Sequence, residues 1–92
     1  MALRFEWDPD KAAMNLRKHR VGFEEASTVV GAPLSITISD PEHGEGEFRY
    51  VLIGQSQHRR VLVVCHTERG DSIRIVSARR ASRREKNEHE ES

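Results

Sequence analysis

The chain has 92 residues, 36% hydrophobic and 33% charged, with fifteen Lys plus Arg balanced by fifteen Asp plus Glu. That length makes one small domain, 1–92, burying about two-thirds of its unfolded surface, and the single cysteine, Cys65, excludes an intrachain disulfide and points to a reducing, cytoplasmic setting. The longest apolar run, Val61 to Cys65, is far short of the ~20 residues that span a bilayer, and the N-terminus has no apolar stretch of signal-peptide length.

Asp8-Pro9-Asp10-Lys11 reads as a helix start: Asp8 can cap, Pro9 suits the first helical position, and Asp10 favours the positive end of the dipole. The helix is predicted to run to about His19 on a modest apolar face of Ala12, Ala13 and Leu16, with Val21-Gly22 breaking it. There is room before it for a short strand over Phe5 to Trp7. Asn15 is expected to bond the backbone at a helix boundary. Phe23, Ala26, Val29 and Val30 predict a second helix, ended by Gly31 and Pro33. The period then changes to two. Leu34, Ile36 and Ile38 mark a half-buried strand, and Asp40 to Gly46 a polar loop.

Phe48 to Gly54 reads as the second strand and Arg60 to Thr67 as the third, with a turn over Gln55 to Arg59. Ser72 to Ala78 is the fourth, joined to the third through Glu68-Arg69-Gly70-Asp71, where Gly70 supplies the positive φ of a tight hairpin. With Arg69-Gly70 as the loop pair, His66 is expected opposite Ile73 and Cys65 opposite Arg74. Both faces of this hairpin are largely apolar, so cover is expected on both sides. From Ala81 to about Glu91 the composition is helical but lacks an apolar residue beyond Ala81, so core burial does not hold this helix; it frays or a partner orders it. The fold class is α+β: two N-terminal helices, a four-stranded antiparallel sheet and a C-terminal helix.

The zero net charge conceals an uneven distribution. Residues 1–50 carry a net −3 and residues 51–92 a net +3. The densest stretch holds Arg74, Arg79, Arg80, Arg83, Arg84 and Lys86 against the single acid Glu85. Twelve of the fifteen cations are arginine, whose planar fork binds phosphate in a bidentate way, so the strip is a candidate phosphate-backbone footprint; a solvated helix face or an acidic partner protein are the alternatives. No metal site is expected: Cys65 has no second cysteine and the five histidines are scattered. No phosphate loop of the Walker or dinucleotide type is present and no cofactor is expected.

Three stretches resemble the BrnT toxin family of type II toxin–antitoxin systems. They are Phe5-Glu6-Trp7-Asp8 with Lys11, Asn15, Lys18-His19, Val21 and Phe23-Glu24-Glu25-Ala26; Gly46-Glu47 with Arg49 and Gly54; and Val63-Val64 through Arg69-Gly70-Asp71 and Ile73-Arg74-Ile75-Val76-Ser77-Ala78-Arg79-Arg80-Ala81 to Arg84-Glu85. The resemblance implies a small cytoplasmic ribonuclease toxin of RelE-like fold that inhibits growth by cleaving RNA. It also implies a BrnA-like ribbon-helix-helix antitoxin, a complex of two toxins with two antitoxins, and operator DNA reached only through the antitoxin. Two positions depart from the family pattern: Arg20 where glycine usually follows Lys-His, and His89 where a tyrosine is usual.

Metal-independent RNA cleavage needs a base for the 2′-hydroxyl proton, cations for the charge on the phosphate and an acid for the leaving 5′-oxygen. His19 is a candidate acid or base, with Lys18 beside it as a further catalytic candidate and Arg17 and Arg20 around them; helix capping or packing is the alternative for His19. Arg79 and Arg80 are candidates to hold the scissile phosphate, followed by Arg49, with Glu68 as a candidate base. Arg74, Arg83, Arg84, Lys86 and His89 are candidate RNA-binding residues. Pairing with Glu47, Glu68 or Asp71 is the alternative for Arg49 and Arg74. His66 is expected as a core histidine and Cys65 as a strand filler. An antitoxin masking the arginine strip is expected to present acids. Competing functions are a non-catalytic RNA- or protein-binding module and a co-repressor.

Overall fold

The computed structural model describes residues 4–31, 36–39 and 49–91, so the Asp40 to Glu47 loop lies outside the described residues. The elements are β1 (Arg4–Glu6), α1 (Pro9–His19), α2 (Phe23–Ser27), β2 (Ile36–Ser39), β3 (Arg49–Gln55), β4 (Val61–Arg69), β5 (Ser72–Arg80) and α3 (Arg83–Glu91). The sheet order is β1-β5-β4-β3-β2. The expected four strands, β2 to β5, pair antiparallel, but the sheet is five-stranded and mixed, because β1 adds to the edge of β5 in parallel. Parallel pairing needs a long crossover, and the whole chain between β1 and β5 supplies it. Among the described residues no helix is long and apolar enough to cross a membrane.

α1 starts as its sequence dictates. Asp8 accepts from the Asp10 backbone N–H at 2.8 Å and Pro9 occupies the first turn. It ends at Arg20, which adopts φ 60° and donates its N–H to Leu16 O at 2.9 Å. α2 is shorter than the predicted Phe23 to Val30. Thr28 and Val29 donate to carbonyls three residues back, Glu25 and Ala26, so the winding tightens into a turn, and the Thr28 hydroxyl also bonds Glu25 O. Val29 stays fully buried through that turn.

The β4–β5 hairpin differs from expectation in two ways. The loop pair is Gly70-Asp71, with Gly70 at φ 57°, so His66 lies opposite Ile75 rather than Ile73. A slip of two residues preserves faces. Beyond it, a bulge in β5 at Val76 places Cys65 opposite Ser77 rather than Arg74, and inverts the alternation from there on. Ile73, Ile75 and Ala78 therefore share one face, and Arg74, Ser77 and Arg79 the other.

The inner face carries the core. Leu52, Leu62, Val64, Ile75 and Ala78 pack against Val21, Phe23, Ala26 and Val29, with Phe5, Trp7 and Ala12 around them. Trp7 meets Phe23 edge to face with ring centres 6.0 Å apart. Asn15, 7% exposed, fastens α1 to the uncovered edge of β5: its amide donates to Ala78 O at 2.8 Å and Val21 O at 2.9 Å and accepts from Ala78 N at 3.1 Å. The side chain replaces the strand that β1 is too short to provide. A second tie joins α2 to the β3–β4 turn. Glu25 accepts from Ser56 Oγ at 2.6 Å and Arg60 Nε at 2.9 Å, and pairs again with the second Arg60 nitrogen. The Arg60 hydrogen bond holds the Glu25 carboxyl below the usual carboxylate range.

Candidate functional site

On the outer face, cross-strand pairing sets three residues in one row: Arg49 on β3, Thr67 on β4 and Arg74 on β5. Arg49 and Arg74 stand two strand spacings apart, roughly 10 Å, close enough for two guanidinium groups to converge on one phosphate between them. Both are half-buried, and neither has an ion-pair partner among the described residues. Pairing with Glu68 or Asp71 does not occur. Between them Thr67 is 2% exposed and its buried hydroxyl has no hydrogen-bond partner. Two unneutralised arginines around an unsatisfied hydroxyl form a setting that an anion with several acceptor oxygens completes.

The next row holds Val51, Cys65 and Ser77, all half-buried, and the one after it Ile53, Val63 and Arg79. Ile53 and Val63 are buried although they lie on the face away from α1 and α2. Their cover comes from α3, which contacts β3. Cover on both sides, as the apolar hairpin demanded, is thus realised over half the outer face, and the arginine row occupies the other half.

α3 is held by a capping box and an ion pair. Ser82 Oγ accepts from Glu85 N at 3.2 Å, and Glu85 accepts from Ser82 N at 2.9 Å. Arg79 donates to both Glu85 oxygens at 2.8 and 2.9 Å. These bonds, the Arg79 fork first among them, lower the Glu85 carboxyl to about 2. His89 lies one turn beyond Glu85 on the same side of α3 and is half-buried, which places it toward the outer face.

The remaining candidates are dispersed. Arg80 is exposed at the end of β5, opposite Leu62. Arg83, Arg84 and Lys86 are exposed on α3, with Arg84 3.6 Å from Glu88. Glu68 is exposed beside the hairpin loop, opposite Ile73 on the inner-face alternation. Lys18 and His19 line a groove of about 470 Å³ between α1 and the β5 edge, together with Lys11, Met14, Arg17 and Ser77. The groove runs along the β5 edge and includes Ser77 of the outer face, but neither Lys18 nor His19 belongs to the Arg49–Arg74 row. His66 is buried, stacked on Tyr50 with ring centres 5.4 Å apart, and burial lowers its proton affinity. Its burial matches the satisfied core histidine expected, but its satisfaction does not, because the buried Nδ1 has no hydrogen-bond partner among the described residues.

Sequence reasoning missed Thr67, whose position between two arginines depends on register alone, and the Glu25–Ser56–Arg60 tie, whose members are 31 and 35 residues apart. Among the described residues no group of three His, Cys, Asp or Glu could hold a metal ion.

The family model described as "Ribonuclease toxin, BrnT, of type II toxin-antitoxin system" matches residues 7–85. The 1.1 Å crystal structure of the Brucella abortus ribonuclease toxin BrnT is similar, with a TM-score of 0.66 and 20% identity, covering 89% of this chain and all of that one. The search of curated proteins finds no match.

Proposed function

Since the chain belongs to the BrnT family of ribonuclease toxins of type II toxin–antitoxin systems, we propose that it cleaves RNA on the outer face of its sheet, with Arg49 and Arg74 holding the scissile phosphate. The observation that carries this reading is the row of two unpaired, half-buried arginines around the buried Thr67 hydroxyl. Two α-helices on one face, a C-terminal helix on the other and the arginine row beside it support a RelE-like arrangement.

In the proposed reaction the 2′-oxygen attacks phosphorus, the bond to the 5′-oxygen breaks, and the products are a 2′,3′-cyclic phosphate and a 5′-hydroxyl. The guanidinium pair stabilises the negative charge that builds on the non-bridging oxygens, so the charge compensation comes from the protein without a metal ion. His89, half-buried on the helix that contacts β3, is the acid–base side chain assigned to take the 2′-hydroxyl proton and return it to the leaving 5′-oxygen. Arg79 positions α3 through Glu85. Arg80, Arg83, Arg84 and Lys86 extend the cationic track for flanking phosphates. Lys18 and His19 lie in the groove between α1 and the β5 edge, outside this row. A protein antitoxin neutralises the toxin; a BrnA-like ribbon-helix-helix protein in a complex of two toxins and two antitoxins, repressing its own promoter, completes the proposal.

Purified protein incubated with end-labelled RNA in EDTA tests this. Cleavage leaving a 2′,3′-cyclic phosphate is expected, and Arg49→Ala/Arg74→Ala should lower kcat/KM about 1000-fold with the fold intact by circular dichroism. Wild-type rates from the double variant would remove the phosphate from this row. Growth arrest by a protein that cuts no RNA would favour the non-catalytic binding module or co-repressor.

A further inference from the structure

Among the described residues only two large hydrophobic side chains are exposed, Met14 at 66% and Leu16 at 52%, and both are on α1. At 100° per residue they stand on either side of Arg17. Each opens a groove. Met14 lines the one with Lys11 and Lys18 beside the β5 edge. Leu16 lines a second groove of about 350 Å³ with Trp7, Ala12, Ala13 and Phe23, and adjoins Arg17 and Arg20. Lys11, Arg17, Lys18 and Arg20 have no ion-pair partner among the described residues, and α1 carries no acid after Asp10. The arginine strip contrasts with this, because Arg79 and Arg84 are already neutralised by Glu85 and Glu88.

We propose that the outer side of α1, from Lys11 to Arg20, is the surface on which the antitoxin docks, through an acidic amphipathic segment whose apolar side chains cover Met14 and Leu16 and whose carboxylates meet Lys11, Arg17, Lys18 and Arg20. The occupant follows from complementarity. RNA needs the cations but gains little from two exposed aliphatic side chains, whereas a protein segment uses both. A second copy of this chain would oppose like charges. The surface lies on α1 beside the β5 edge, and its side chains are distinct from those of the arginine row, so antitoxin binding and RNA binding are separable by mutation. The inference rests on the toxin reading above only for the existence of an antitoxin.

The probe is this toxin's own antitoxin, titrated calorimetrically into the toxin. Met14→Glu/Leu16→Glu and, separately, Arg17→Glu are expected to raise Kd about 100-fold and tenfold, to leave RNA cleavage at the wild-type rate, and to make growth arrest resistant to co-expressed antitoxin. Arg49→Ala/Arg74→Ala should bind it with wild-type affinity. Wild-type affinity in both α1 variants, or a fall from dimer to monomer in either as its main effect, would overturn the proposal. If instead Arg49→Ala/Arg74→Ala cleaves normally, the cleavage site is misplaced while the docking surface stands.

Discussion

Arg20 shows how one position departs from its chemistry. Its φ of 60° is the left-handed region, which closes α1 and which L side chains enter at a cost of about 1–2 kcal/mol. The resemblance had marked this position as one usually held by glycine, and the backbone explains that choice. Arg20→Gly should raise stability by about 0.5–1 kcal/mol after the extra freedom of the unfolded chain is counted, read as a rise of several degrees in Tm; an unchanged or lower Tm contradicts it. The candidate arginines were legible by type, since a fork for phosphate is a property of the side chain. Their division into Arg49 and Arg74 left unpaired and Arg79 committed to Glu85 was not, because each assignment depends on a partner on another element.

At the scale of elements, β5 and α3 decide the site. Without the Val76 bulge, Ala78 would face outward and Arg79 would be driven inward toward the core; with it, Arg79 joins Arg74 and Ser77 outside. Strict period-two alternation carries no mark of that inversion, nor of Gly70-Asp71 as the loop pair. α3 answers a question its composition posed. A helix polar on all sides is not held by a hydrophobic stripe, and the structure holds it instead by the Ser82–Glu85 box, the Arg79 fork and contact with β3. Glu85→Ala should therefore speed amide exchange across Arg83–Glu91 about tenfold, lower RNA cleavage with it, and shift the Tm of the core little. Undiminished protection in α3 would show that packing alone suffices.

For the molecule as a whole, three titrating groups set the response to acid. Burial keeps His66 neutral in the folded chain, so unfolding takes up a proton, and stability falls as pH drops through about 6.5, the unfolded value. Glu25 and Glu85 are held below 4.5 by Arg60 and Arg79, so their stabilisation is complete above that pH and is lost as pH falls below it, for Glu85 toward about 2. The urea midpoint should be flat above pH 7, decline once as pH falls below 6.5, and decline again below 4.5; His66→Gln should remove the first decline and keep the second. A constant midpoint from pH 7 to 5 would refute the role given to His66. By itself the sequence determined the α+β class, four antiparallel strands with room for a short one before α1, three helices, the family, and a strip of arginines by type, because periodicity, caps and side-chain type are local properties. Only the tertiary structure decided that β1 joins in parallel, that Asn15 serves as a missing strand, and that Arg49, Thr67 and Arg74 share a row while Lys18 and His19 line a groove at the β5 edge. Those outcomes depend on strand register, and register is settled by which faces the packed molecule buries.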